Sequence, residues 1–227
     1  MENIISKADK LYEREMFEQA LSLYLEALKS LNGEERVNVL RRIAECYFYK
    51  ENPEIDNALK YIDEAIKISN NFNDMILRFN ILSEKDPEQA LKEAESILKE
   101  AKEKNYEKIL PELYNNIGLL LWGKDDYIEY FKKALEESKK LNDLENYVLA
   151  LQNLAYVEME RGKNNVAMDY LMEALKSVEE VAKKLPKSRK KEFISSYSDL
   201  FDQAASLAMD MEDVELAMEI AKKTNIT

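Results

Sequence analysis

Gly118, Gly123 and Lys124 stand in the stretch "NNIGLLLWGKDD", whose spacing is one residue short of a phosphate-binding loop. Such a loop needs a hydrophobic strand before its first glycine and free amides to cradle phosphate. It also needs a Ser or Thr hydroxyl for magnesium after the lysine. Asp125 takes the hydroxyl's place and would repel phosphate, and Tyr114, Asn115 and Asn116 precede Gly118 with no strand pattern. The glycines read instead as a close packing point at Gly118 and a helix end at Gly123. Carboxylates are abundant, and pairs such as Glu158 and Glu160 have the residue types of a glycoside hydrolase. A chain of 227 residues is short for a helical toroid plus sugar-binding loops, however, so solvated helix faces account for them better. A carboxylate-based hydrolase is only a remote alternative. There is no histidine, which removes Ser-His-Asp and Cys-His nucleophiles and HExxH zinc sites together. No cofactor and no metal is expected.

The charge balance narrows the partners. A net charge of −12 disfavours nucleic acid as the main partner and disfavours anionic membranes. The N-terminal stretch "MENIISKADKLYERE" has no apolar core of a signal peptide, and the longest apolar run, Ile117–Trp122, is far too short to span a bilayer. A lone cysteine, Cys46, fits a reducing compartment, so a cytoplasmic location is expected. One local exception stands out. "KKLPKSRKK" (183–191) carries six basic residues in nine, read as a solvated segment between helices or as a docking patch for an acidic partner or RNA.

Only four glycines and four prolines punctuate a chain rich in Glu, Lys, Leu and Ala, which points to helix throughout. Within it a pattern recurs: Ala, a bulky residue four later, Ala three after that. The copies are Ala20, Tyr24 and Ala27; Ala58, Ile62 and Ala65; and Ala167, Leu171 and Ala174. A variant has Tyr127, Phe131 and Ala134. Spacings of four and three share one helix face, so small alanines admit a neighbouring helix while the large residue fills the space between them. Each copy follows another helix with its own small residue, at Ala8, Ala44, Gly118 or Ala155. Asp86-Pro87 reads as an N-cap followed by the first helical residue.

This helix-turn-helix unit resembles the tetratricopeptide repeat (TPR), closely over 1–34, well over 148–181, and with altered turns over 37–72 and 111–141. Two weaker units are placed by position. One keeps Leu77, Ile81, Ala90 and Ala94, the other Phe201, Ala205, Ala217 and Ala221. The resemblance implies an all-α fold, an α-solenoid wound as a right-handed superhelix of about six TPR-like pairs. It would form one domain over 1–227, with approximate repeats 1–34, 37–72, 73–105, 111–141, 148–185 and 188–227. The wider spacing from Ala134 to Ala174 predicts longer helices in the C-terminal half, as in kinesin-light-chain-like repeats.

The resemblance also implies a function: a non-catalytic scaffold that binds a peptide segment or helix in a concave groove lined by the first helix of each pair. Carried over by register, the aromatic groove members are Tyr12, Phe48, Tyr49, Phe79, Trp122 and Tyr156. The polar ones are Arg41, Arg42, Asn115, Asn116, Gln152, Asn153 and Gln203, with Asn116, Asn153 and Gln203 forming an amide ladder. Acidic groove positions are Glu2, Asp9, Glu13, Glu45, Glu112, Glu160, Asp199, Asp202 and Asp210. Family members that hold a C-terminal carboxylate use a basic clamp, and this chain has Ile5 and Asp9 where that clamp would begin. The expected ligand is therefore a neutral, apolar or basic protein or peptide. The alternative is a self-assembling subunit, a homodimer through the C-terminal repeat, because the chain ends at "AMEIAKKTNIT" without a polar cap and would leave Ala217, Ile220 and Ala221 partly exposed.

Overall fold

The computed structural model describes residues 3–124 and 126–224; Glu2 and Asp125 lie outside the described residues. Among the described residues there are α-helices, one 3-10 turn and no strand, so the fold is all-α and of the helical-repeat solenoid class. The chain divides into two compact units, Met1–Ile109 and Leu110–Thr227.

The first unit holds three helix pairs: α1 (Ile4–Tyr12) with α2 (Phe17–Leu28), α3 (Gly33–Tyr49) with α4 (Ile55–Ser69), and α5 (Phe72–Ser83) with α6 (Pro87–Glu103). The second holds α7 (Leu110–Leu120) with α8 (Tyr127–Leu141), α9 (Leu144–Glu160) with α10 (Asn164–Lys184), and α12 (Ser198–Asp210) with α13 (Val214–Thr224). Between the last two pairs stands a further helix, α11 (Lys187–Ser195), with no counterpart elsewhere. The segment 183–191, read from sequence as lying between helices, is thus mostly helical: it spans the end of α10 and the first half of α11.

The repeated alanines do what their size permits. Ala20, Ala27, Ala58, Ala65, Ala134, Ala167 and Ala174 are buried, and Tyr24, Ile62, Phe131 and Leu171 fill the spaces they leave. In the sixth pair the register differs from the sequence reading. Ala204 and Ala208 are the buried small residues of α12, while Ala205 is half-buried and Ala221 exposed. Ala217 and Ile220 are buried too, which corrects the expectation that they are partly exposed; the large exposed apolar side chains of α13 are Val214 and Met218.

Helix ends follow local rules. Asp86, with Pro87 behind it, accepts the Gln89 amide at 3.0 Å, and Asp143 accepts that of Asn146 at 3.1 Å. Among the described residues, five helices close with an amide bonded to the carbonyl five residues back, at Met16, Tyr106, Asp143, Lys163 and Asp213. The residue before each is left-handed: Glu15, Asn105, Asn142, Gly162 and Glu212. Two glutamates therefore occupy a conformation that glycine holds at Gly162 without steric cost.

Candidate functional site

The first helices of the first two pairs (A helices), α1 and α3, with Tyr24 of α2 beneath them, enclose an open cavity of about 570 Å3 in the first unit. Ile5, Asp9, Tyr12 and Glu13 line it from the α1 side; Glu35, Asn38, Val39, Arg41, Arg42 and Glu45 line it from α3. Ile5, Asp9 and Tyr12 on α1, and Glu35, Asn38, Arg42 and Glu45 on α3, are spaced by three or four, so one face of each helix supplies most of the wall. Three of the candidate groove residues, Tyr12, Arg41 and Arg42, meet here together with the acidic positions Asp9, Glu13 and Glu45.

Both arginines are engaged within the protein. Arg42 lies 4.3 Å from the Tyr12 ring centroid and donates to Glu45 Oε2 at 3.0 Å. Arg41 is ion-paired through Nε with Asp74 of α5, a fully buried carboxylate, and donates to Asn38 at 3.2 Å. The Ser69 hydroxyl supplies Asp74 with a second donor at 2.8 Å. At the cavity floor the Tyr24 hydroxyl donates to Asp9 Oδ1 at 2.5 Å. Burial pushes the Tyr12 phenol up to about 12, assisted by the charge of Glu45, and burial with the Asp9 bond pushes Tyr24 up further. The nearby Cys46 thiol is pushed up to about 12 by burial and then by Glu45. The phenols and the thiol are thus neutral at physiological pH, and the charge left over on the walls is carboxylate. Glu13 and Glu35 have no ion pair among the described residues, so the cavity is acidic with aromatic sides.

Farther along α3, Phe48 packs into the core of the unit and Tyr49 is 51% exposed, 6.0 Å from the Phe17 ring. Phe79 is 1% exposed, a core residue of α5 and not part of an open face. Its buried position follows from the apolar neighbours Ile76, Ile81 and Leu82 that surround it on a helix buried nearly all round.

In the second unit the amides close on one another. Asn153 donates to Asn115 Oδ1 at 3.4 Å, Asn115 to the Asn146 carbonyl at 3.3 Å, and Gln152 to Gln203 Oε1 at 3.0 Å. Asn115 and Asn153 are buried, and a buried amide must find partners inside the protein. The expected ladder of Asn116, Asn153 and Gln203 is therefore replaced by two internal pairs, with Asn116 half-buried beside them. Trp122 Nε1 donates to both oxygens of Glu160 at 3.2 and 3.3 Å, and its ring packs on Tyr127 and Phe131. Tyr156, one turn before Glu160, is 48% exposed. Glu158, the other half of the carboxylate pair, is engaged with Arg161 at 3.0 Å and Lys163 at 3.6 Å. Burial holds the Glu112 carboxyl above its usual value, and Glu145 and Asp143 add to the rise.

The sequence reading missed Tyr24, Glu35, Asn38 and Val39 as cavity residues. Glu35, Asn38, Arg42 and Glu45 follow a three-and-four spacing that would have found them. The repeat pattern gives Tyr24 a packing role, which its fully buried ring satisfies while its hydroxyl still reaches Asp9.

No family model matches the sequence, and no curated protein matches it. Solved structures do. A Rap protein complexed with competence and sporulation factor superposes with a TM-score of 0.64 at 18% identity, over 97% of this chain and 72% of that one. NprR in complex with its cognate peptide NprX gives 0.59 at 12%, over 97% of this chain and 64% of that one. A TPR protein of Thermus thermophilus gives 0.54 at 18%, over 87% of this chain and 97% of that one. At these identities the likeness is one of fold, and with the paired helices and their buried alanines it establishes that this chain has the tetratricopeptide-repeat fold.

Proposed function

We propose that this protein is a non-catalytic interaction module whose A-helix face in the first unit binds a neutral-to-basic segment of a protein or peptide. The observation that carries the reading is the α1–α3 cavity, of a size to hold one or two side chains, with Tyr12 as its aromatic wall, Tyr24 beneath its floor and carboxylates in excess of free cations. A lysine or arginine side chain entering it meets Asp9, Glu13 and Glu35, and its methylenes lie beside Tyr12. NprR, which shares the fold, is a peptide-bound protein, and this supports a peptide ligand here. Tyr49 and Tyr156 are exposed aromatic anchors of the kind that carry binding energy, one in each unit.

Fluorescence anisotropy with labelled peptides rich in lysine and leucine tests it, against the same peptides with glutamate for lysine. The basic peptides are expected to bind, and Glu13→Lys with Glu35→Lys to weaken them about tenfold. Tighter binding of the glutamate peptides would overturn the reading. Self-association through Met209, Val214 and Met218, all more than half exposed, is the alternative. A mass in light scattering that rises with concentration, with no peptide bound, favours it instead.

A further inference from the structure

Residues 183–191 carry six lysines and arginines in a chain of net charge −12. Lys183 and Lys184 close α10, where the helix dipole favours cations, as lysines do at the ends of α8 and α13. The rest are placed against that rule. Lys187, Arg189 and Lys190 occupy the first turn of α11, behind Pro186, with no acidic residue in that turn and no side-chain cap. Cations at a helix N-terminus are unfavourable, and none of the six forms an ion pair among the described residues to offset them. The helix has no counterpart in the other repeats, and Ile194 is its one buried residue.

The corner between α10 and α11 is also shaped. A cavity of about 120 Å3 has Ala182, Ile194 and Phe201 as its floor and Lys183, Lys190, Lys223 and Glu179 at its rim. Glu179 is held by Lys223 at 2.9 Å, which leaves the ammonium groups of Lys183 and Lys190 beside an apolar floor. We infer that this corner is a second docking surface, for an acidic segment of a protein partner that seats an aliphatic side chain in the cavity between carboxylates. The chemistry separates this partner from nucleic acid. No aromatic side chain occurs in 183–191 to stack a base, and the remainder of the chain is more acidic still. A long polyanion extends beyond a screening length of about 8 Å into that repulsion, whereas a short acidic segment stays on the patch.

The test uses the full chain, with a labelled short peptide of aspartate, glutamate and leucine. Its amide analogue (asparagine and glutamine for the acids) and a single-stranded RNA are the comparisons. The acidic peptide is expected to bind, more weakly as salt rises, and the amide analogue not to bind. Combined Lys187→Glu, Arg189→Glu and Lys190→Glu should weaken the acidic peptide at least about tenfold. The same variant should melt no earlier than the parent, because carboxylates suit a helix N-terminus, so lost binding is not lost folding. If it does melt earlier, Lys187→Gln with Lys190→Gln gives the same comparison at lower risk. No saturable binding of the acidic peptide, affinity unchanged by the substitutions, or tighter binding of the RNA would each overturn the inference. Basic peptides at the α1–α3 cavity should be unaffected by these variants, so the two surfaces succeed or fail separately.

Discussion

Gly118 of α7 faces Phe131 of α8 so closely that an added Cβ would stand 2.5 Å from Cε1 and 2.7 Å from Cδ1 of that ring. The ring is fully buried and packed on Trp122 and Tyr127, so it has no room to turn away. Two effects oppose each other in Gly118→Ala. Helix propensity favours alanine by about 1 kcal/mol, while overpacking in a closed core costs about 1–3 kcal/mol. With a clash this deep against a trapped ring the second should win, and the variant is expected to unfold at lower urea. A raised midpoint would mean that α7 and α8 are packed less tightly than this. The role of Gly118 was legible in the sequence, because its place in the repeat called for a small residue. The partner ring was legible too, as the large residue of the next helix. What Trp122 does with its indole nitrogen was not, since Glu160 is contributed by a different helix pair.

Between elements, partly buried ion pairs tie the helices of the first unit together, both within a pair and from one pair to the next. Arg36 of α3 reaches Glu64 of α4 at 2.5 Å, and Arg78 of α5 bridges Asp63 of α4 and Glu93 of α6. The pair expected to matter most joins Arg41 of α3 to Asp74 of α5, because Asp74 has no access to water. Arg41→Ala would leave that carboxylate with only Ser69 as its donor, and is expected to cost about 3–5 kcal/mol in chemical denaturation. Adding Asp74→Asn removes the uncompensated charge and should recover more than half of the loss. A cost below about 1 kcal/mol would place the pair among exposed ones. By register, Arg41 is a groove residue. It does line the cavity, but its guanidinium is oriented by Asp74, 33 residues away, a partner that helical spacing could not reveal.

For the whole molecule the controlling quantity is charge. A net −12 on a folded chain repels itself, and salt shortens the reach of that repulsion from about 30 Å at 0.01 M to about 8 Å at 0.15 M. The melting temperature is accordingly expected to rise over that range of sodium chloride. A fall would show that the surface ion pairs outweigh the net charge. The sequence by itself determined the six helix pairs, the Asp86 cap and the alanine faces of the pairs other than the sixth, because these depend on residues three, four or five apart. It also determined the acidic character of the α1–α3 face, which is set by the side chains of two helices. Only the tertiary structure decided which polar side chains are open to a ligand. Asn153 turns to Asn115 and Gln152 to Gln203 across 38 and 51 residues, while Glu13 and Glu35 are left facing the cavity. Nor does repeat periodicity foresee α11, a helix outside the repeat that gathers the chain's densest basic run at one corner. The physical reason is common to these cases: a polar group's availability depends on which other group folding brings within hydrogen-bond distance, and that distance is not written in local spacing.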